Sequence, residues 1–211
     1  MITVDGLRHR YRKGGDELFS GLTHRFVAGS VTAVTGPSGS GKSTLLYLVG
    51  LLLTPTAGVI RFGDRDVSMM SDRVRSLIRA GEVGFVFQDA ALDANRPVID
   101  NVVEGALYAG LRRSDATARA HRLLDRLGVE LRDDHRPGEV SGGQAQRVGL
   151  CRALIKQPAV ILADEPTGNL DGVSAAVVIA TLREAADGGA TVIIASHDPD
   201  VVDAVDDVLA V

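Results

Sequence analysis

Val31-Thr32-Ala33-Val34-Thr35-Gly36-Pro37-Ser38-Gly39-Ser40-Gly41-Lys42-Ser43-Thr44-Leu45-Leu46 is the stretch on which the fold turns. Val31 to Val34 reads as a buried strand running straight into a glycine-rich turn. Gly41 to Leu53 follows with the continuous apolar character of a helix buried on most sides. Gly36 to Ser43 fits G-x-x-x-x-G-K-[ST]. In that pattern the glycines let the backbone turn tightly, so that successive N–H groups point inward at phosphate oxygens. The following helix adds the positive end of its dipole. Gly36, Pro37, Ser38, Gly39, Ser40, Gly41, Lys42, Ser43 and Thr44 are therefore expected to bind nucleotide phosphates, with Lys42 on the β- and γ-phosphates and the Ser43 hydroxyl on Mg2+. A chance glycine turn is the bland alternative, and the strand before and helix after argue against it.

Outward from this turn, short β-type runs alternate with helical patterns, which predicts an α/β fold with a largely parallel sheet. Val83 to Phe87, Val160 to Ala163 and Val192 to Ala195 are Val/Ile-rich runs bounded by polar or turn residues. Gly143 to Ile155 and Gly172 to Ala186 read as helices, and in the first Val148, Cys151, Leu154 and Ile155 mark a core face. From about Asp89 to Glu139 the pattern is helical (Val98 to Tyr108, Ser114 to Leu127) with no convincing strand. That stretch reads as a helical lobe inserted between two strands. Leu51 to Gly58 and Arg132 to Gly138 are the expected surface loops. Pro199 to Val211 leaves room for a last helix and strand, and no regulatory extension is expected.

Composition narrows the function. The 211 residues suffice for one sizeable core, or one core with a small lobe. With 45% hydrophobic and 24% charged residues, global disorder is excluded. A net charge of -4 offers no basic field for nucleic acid, so no nucleic-acid partner is expected. The single cysteine, Cys151, rules out an internal disulfide and fits a reducing compartment. The N-terminus has no basic-then-apolar signal pattern, and the apolar stretch near Leu45 to Leu53 is only about half of the ~20 residues that span a bilayer. The chain is not expected to cross a membrane by itself.

Two further motifs carry chemistry. Val160-Ile161-Leu162-Ala163-Asp164-Glu165 is an apolar strand ending in two acids. Desolvated carboxylates cost several kcal/mol unless paired, a difficulty that Mg2+ removes. Asp164 would hold the ion through its water shell, and Glu165 could act as general base on the attacking water. Ordinary surface acids at a strand end are the alternative. Ser141-Gly142-Gly143-Gln144 opens a helix, with Ser141 as N-cap and the paired glycines exposing N–H groups at its positive end. In isolation this would be a capped helix start and nothing more.

Taken together, Gly36 to Ser43, Ser141 to Gln144 and Ala163-Asp164-Glu165-Pro166 resemble the ATP-binding subunits of ABC transporters, over nearly the whole chain. The resemblance implies a P-loop ATPase core with an N-terminal antiparallel β portion. It makes residues 1–211 one domain, with a helical subdomain at 89–156. It implies a head-to-tail dimer in which Ser141, Gly142, Gly143 and Gln144 close over the γ-phosphate bound by a second copy. It further implies that Gln88 touches Mg2+ or the attacking water. Asn169-Leu170-Asp171 matches the loop crossing the dimer interface, His197 the histidine on the γ-phosphate, and Tyr11 the aromatic ring against adenine. Catalysis would then rest on Glu165, His197 and Gln88, nucleotide binding would extend to Tyr11 and Asp171, and Ser43, Gln88 and Asp164 would serve the metal.

The run Asp164 to Asp171 and the segment Gly84 to Asp89 look like the lipoprotein-release, macrolide-export and cell-division branch. That implies a separately encoded integral membrane permease as partner and a peripheral location on the cytoplasmic face of the plasma membrane. Two departures stand out. Val140 replaces the usual Leu, an apolar exchange, and Asp89 to Pro97 is less hydrophobic than in close relatives, which weakens the substrate assignment there. Regulation of a cell-wall or division complex without transport is the alternative role. A soluble DNA- or ribosome-acting ABC ATPase is disfavoured, because the interval from Ser43 to Ser141 is too short for a long coiled coil and only one cassette is present. A GTPase is disfavoured by the lack of N-K-x-D.

Overall fold

The computed structural model describes residues 1–12, 14–129, 132–168 and 170–211. The quoted stretch becomes strand β3 (Val31–Thr35; β1 and β2 are placed below) and helix α1 (Lys42–Val49). Around β3 a parallel sheet assembles from β6 (Val83–Val86), β7 (Val160–Asp164), β8 (Thr191–Ala195) and β9 (Asp207–Ala210), in the order β6-β7-β8-β3-β9. Each neighbouring pair is parallel, with Val31 opposite Val192 and Val160 opposite Thr191. The central strands are apolar on both faces because both faces are covered. In β7, Ile161 and Ala163 join one core cluster while Val160 and Leu162 join the other. In β8, Val192 and Ile194 face the first cluster, Ile193 and Ala195 the second.

The second cluster is shared with an antiparallel sheet of β1 (Ile2–His9), β2 (Leu18–Phe26), β4 (Ala57–Phe62) and β5 (Arg65–Asp66), ordered β2-β1-β4-β5. Leu45, Leu46, Leu48 and Val49 of α1 meet Ile2, Val4, Leu7, Phe26 and Ile60 there, so α1 is buried between the two sheets. This is why its sequence is apolar nearly all round.

The first cluster is shared with α3 (Val98–Leu107), α4 (Arg113–Arg126), α5 (Gly142–Leu154) and α6 (Gly172–Asp187). Between β6 and β7 the described chain is helical, containing α3, α4, a 3-10 turn at Pro137–Glu139 and α5. Ala116, Ala120 and Leu124 give α4 an i, i+4, i+8 buried stripe, and Val98, Val102, Val103 and Ala106 do the same for α3. Helix α7 (Pro199–Asp203) and β9 supply the expected last helix and strand.

Several boundaries differ from the sequence reading, most by a single residue. Helix α1 ends at Val49, not Leu53: Gly50 is its C-cap, Leu51 turns left-handed at φ 61, and the Leu52 and Leu53 N–H groups both donate to the Tyr47 carbonyl. Strand β6 stops before Phe87, and β7 runs on through Asp164. Helix α2 (Asp72–Glu82) has no counterpart in the sequence reading. Val74, Leu77 and Ile78 give it an i, i+3, i+4 apolar stripe, but only Ile78 of these is buried, beside Arg75, while Val74 and Leu77 are exposed.

Candidate active site

Parallel strands place their carboxyl ends on one edge of the sheet, and α/β sites form in the crevice outside that edge. The turn after β3, Gln88 after β6, Glu165 after β7 and His197 after β8 all meet there. They line a cleft of about 740 Å³ with Tyr11, Leu18, Gly36, Pro37, Ser38, Gly39, Gly41, Lys42, Ser43 and Thr44.

The turn owes its shape to glycine. Gly39 (φ 83) and Gly41 (φ 106) sit in the left-handed region, and a Cβ on Gly41 would lie 2.9 Å from the Phe19 ring. Helix α1 starts at Gly41 without a side-chain cap and without an acid in its first turn, so its N–H groups and positive end stay available to an anion. The Lys42 ammonium donates to the carbonyls of Gly36 at 2.8 Å and Pro37 at 3.1 Å, which suspends a cation across the mouth of the turn.

Asp164 is only 6% exposed. Burial pushes its carboxyl above the usual range, with neighbouring Glu165 adding to the rise. Hydrogen bonds from Ser43 (2.9 Å, to Oδ1) and Tyr47 (3.4 Å, to Oδ2), and the charge of Lys42, pull the other way. Hard oxygens on Ser43 and Asp164 side by side, with a carboxylate that burial alone disfavours, make a donor set that fits Mg2+.

Glu165 is held in an unusual backbone conformation for a non-glycine residue, φ 44, with its N–H on the Ala195 carbonyl at 2.9 Å. That turn leaves the strand direction and brings its carboxylate to His197 and Ser196. His197 Nδ1 lies 2.8 Å from Glu165 Oε1, and the Ser196 hydroxyl donates to Oε2 at 3.3 Å. The Glu165 side chain is 14% exposed, whereas His197 is 77% exposed and reaches the open side of the cleft. Tyr11 is brought to the same cleft: its hydroxyl shares a 2.8 Å hydrogen bond with Thr44 Oγ1, and its ring meets His9 edge-on at 4.9 Å.

Ser40 belongs to the turn without lining the cleft. Ser141, Gly142, Gly143 and Gln144 do not line it either. Ser141 caps α5 in a reciprocal box, accepting from the Gln144 N–H at 3.2 Å and donating its own N–H to the Gln144 side chain at 2.9 Å. Asp171 also stands outside the cleft and caps α6, accepting from the Ser174 N–H at 2.9 Å and the Ser174 hydroxyl at 3.1 Å, bonds that hold its carboxyl below the usual range. Asn169 lies outside the described residues.

The sequence reading missed Tyr47, whose hydroxyl reaches Asp164. Its signal was available, since Tyr47 stands four residues after Ser43 and therefore on the same face of α1.

Comparison with known proteins agrees with this fold. The ABC transporter family signature matches residues 19–168. The chain is 44% identical over 191 residues to the lipoprotein-releasing system ATP-binding protein LolD 1 of Rhodospirillum rubrum, covering 89% of this chain and 84% of that one. It is 42% identical over 208 residues to LolD of Gluconobacter oxydans (97% and 90% covered). It is 40% identical over 213 residues to the macrolide export ATP-binding/permease protein MacB of Nitrobacter winogradskyi, of which it spans only 33%. Among solved structures, an ATP-binding cassette in a dimeric post-hydrolysis state bound to ADP and Pi superposes with a TM-score of 0.92 at 28% identity, covering 100% of this chain and 94% of that one.

The fold and the cleft thus define a P-loop ATPase, and the chain belongs to the ABC transporter family. Within that family its relatives fall in the lipoprotein-release and macrolide-export branch.

Proposed function

We propose that this chain is the ATP-hydrolysing motor of a membrane complex. Two copies would enclose two ATP molecules head to tail, and closure and reopening would drive a separately encoded integral membrane permease that exports or extracts lipid, lipoprotein, peptide or drug. The observation that carries the reading is the division of the chemistry: four strand ends supply one cleft, while the capped start of α5 stands outside it. A motif built to offer N–H groups to an anion, yet absent from its own chain's cleft, is explained by a second copy. Residues 89–156 would act as the subdomain that carries Ser141–Gln144 to that copy.

In each site the α1 N-terminus, Gly39, Gly41 and Lys42 take the phosphates, with Lys42 exchanging the Gly36 and Pro37 carbonyls for phosphate oxygens. Tyr11 gives the adenine a flat apolar partner. Ser43, Gln88 and, through water, Asp164 would hold Mg2+, which when bound neutralises charge on the phosphate oxygens. Glu165, oriented by His197 and Ser196, accepts the proton of the attacking water as its oxygen bonds to the γ-phosphorus and the bond to the β–γ bridging oxygen breaks. His197, exposed at the cleft edge, donates to the γ-phosphate. Asp171, in the loop matched to the dimer interface, would act across it.

No helix among the described residues is long and apolar enough to cross a membrane, so attachment to the cytoplasmic face would come through the permease. Pull-down of tagged Glu165→Gln from membranes in MgATP tests this. The proposal expects a stoichiometric integral membrane protein; recovery of soluble or nucleic-acid partners alone would overturn it.

A further inference from the structure

Gln88 sits on a short turn after β6 whose backbone is gripped from one side by α5. The Phe87 carbonyl accepts from Gln146 Nε2 at 3.0 Å. The next carbonyls in the grip are those of Ala90 and Ala91, which accept from Arg152 Nη2 and Nη1, each at 2.6 Å. Ala90 and Ala91 are both left-handed, at φ 60 and φ 45, a region that crowds the Cβ of an L-residue and that a turn adopts only when its surroundings impose it. Between the two gripping side chains, Gly149 faces Ala90 directly: a Cβ there would meet both the Ala90 Cβ and its carbonyl oxygen at 3.4 Å, in contact. Positions 146, 149 and 152 recur every three residues and lie along one face of α5.

Arg152 is committed to this task. Burial depresses its pKa, and it forms no salt bridge to a carboxylate among the described residues. A planar guanidinium that donates to two consecutive carbonyls fixes their direction with a rigid fork, which a freely rotating ammonium does not offer.

We propose that Arg152, assisted by Gln146, is a positioning residue for Gln88: by holding a strained turn against α5 it sets where the Gln88 side chain enters the cleft. Because α5 begins at Gly142, capped by Ser141, the same rigid helix ties the placement of Gln88 in one site to the motif offered to the other copy. This rests on the reading of Gln88 as a group that touches the metal or the attacking water.

The test is a double-mutant cycle on MgATP hydrolysis by the purified protein, with Gln88→Ala, Arg152→Met and the pair. Arg152→Met should lower kcat roughly 10- to 100-fold, the scale of a misplaced catalytic group. KM for ATP should stay unchanged, because the phosphate loop is not touched. The double variant should be no slower than Gln88→Ala, and Arg152→Lys should recover part of the rate. If Arg152→Met does not fold, the cycle is run with Arg152→Lys. Losses that multiply in the double variant, or a kcat that stays at the parental value, would overturn the proposal for Arg152 while leaving the ATPase reading intact. A Gln88→Ala protein that hydrolyses ATP at the parental rate would remove the reading of Gln88, and this inference with it.

Discussion

At Asp164 stability and the proposed metal-holding role oppose each other. Its folded carboxyl titrates above its ordinary value, chiefly through desolvation, so ionising it works against the empty fold. The favourable contribution of the protonated form is complete below the ordinary carboxylate range and is lost as pH rises through the elevated folded value. Asp164→Asn keeps the neutral state at every pH. It is expected to raise the melting temperature of the nucleotide-free protein at pH 7–8, about 2–4 °C for each kcal/mol gained, with the gap closing as pH falls. The same variant should lose most MgATP hydrolysis. A calorimetric scan showing the variant less stable at pH 8 would contradict this account of the site.

Two other residues would separate the proposed binding from the proposed chemistry. Lys42→Ala should lose most nucleotide affinity in a titration with fluorescent ATP, since the ammonium over the turn is removed. Glu165→Gln should still bind ATP while its turnover falls roughly 100-fold or more, the scale of general-base catalysis. A parental rate in that variant would assign the base elsewhere.

Among the elements, what could be read in advance was whatever carries its own local signal. The turn after β3 declared itself through glycine, lysine and serine at fixed spacing, and β7 and β8 through runs apolar on both faces. The ends of α1 and β6 were misjudged because tertiary contacts set them: two arginines of α2 donate to the Leu51 carbonyl just beyond α1, and Gln146 takes the Phe87 carbonyl just beyond β6. Helix α2 went unread although Val74, Leu77 and Ile78 stand at helical spacing; the stripe is short and charged residues surround it. Tyr11 and His197 came from the resemblance alone; the chain itself gives no local reason to prefer them over other aromatic or basic residues.

The start of α5 has a structural role and a proposed functional one, and they can be told apart. Ser141→Ala removes the cap and should cost about 0.5–2 kcal/mol in urea unfolding. Ser141→Asp restores a capping acceptor and should recover that stability, yet it places a negative charge where a γ-phosphate is expected. Its ATPase rate should therefore be lower than that of Ser141→Ala. If the two variants hydrolyse ATP equally, Ser141 is a cap and no more.

For the whole molecule, the decisive feature is that one chain presents a cleft and, outside its lining, the motif that would complete such a cleft. Surfaces that meet themselves about a two-fold axis give a closed C2 dimer, and ATP held between them supplies association that the protein surfaces alone need not provide. Sedimentation of Glu165→Gln with and without MgATP tests this most directly. The account predicts a mainly monomeric protein without nucleotide and a dimer when MgATP is added. A distribution that does not respond to nucleotide would contradict it.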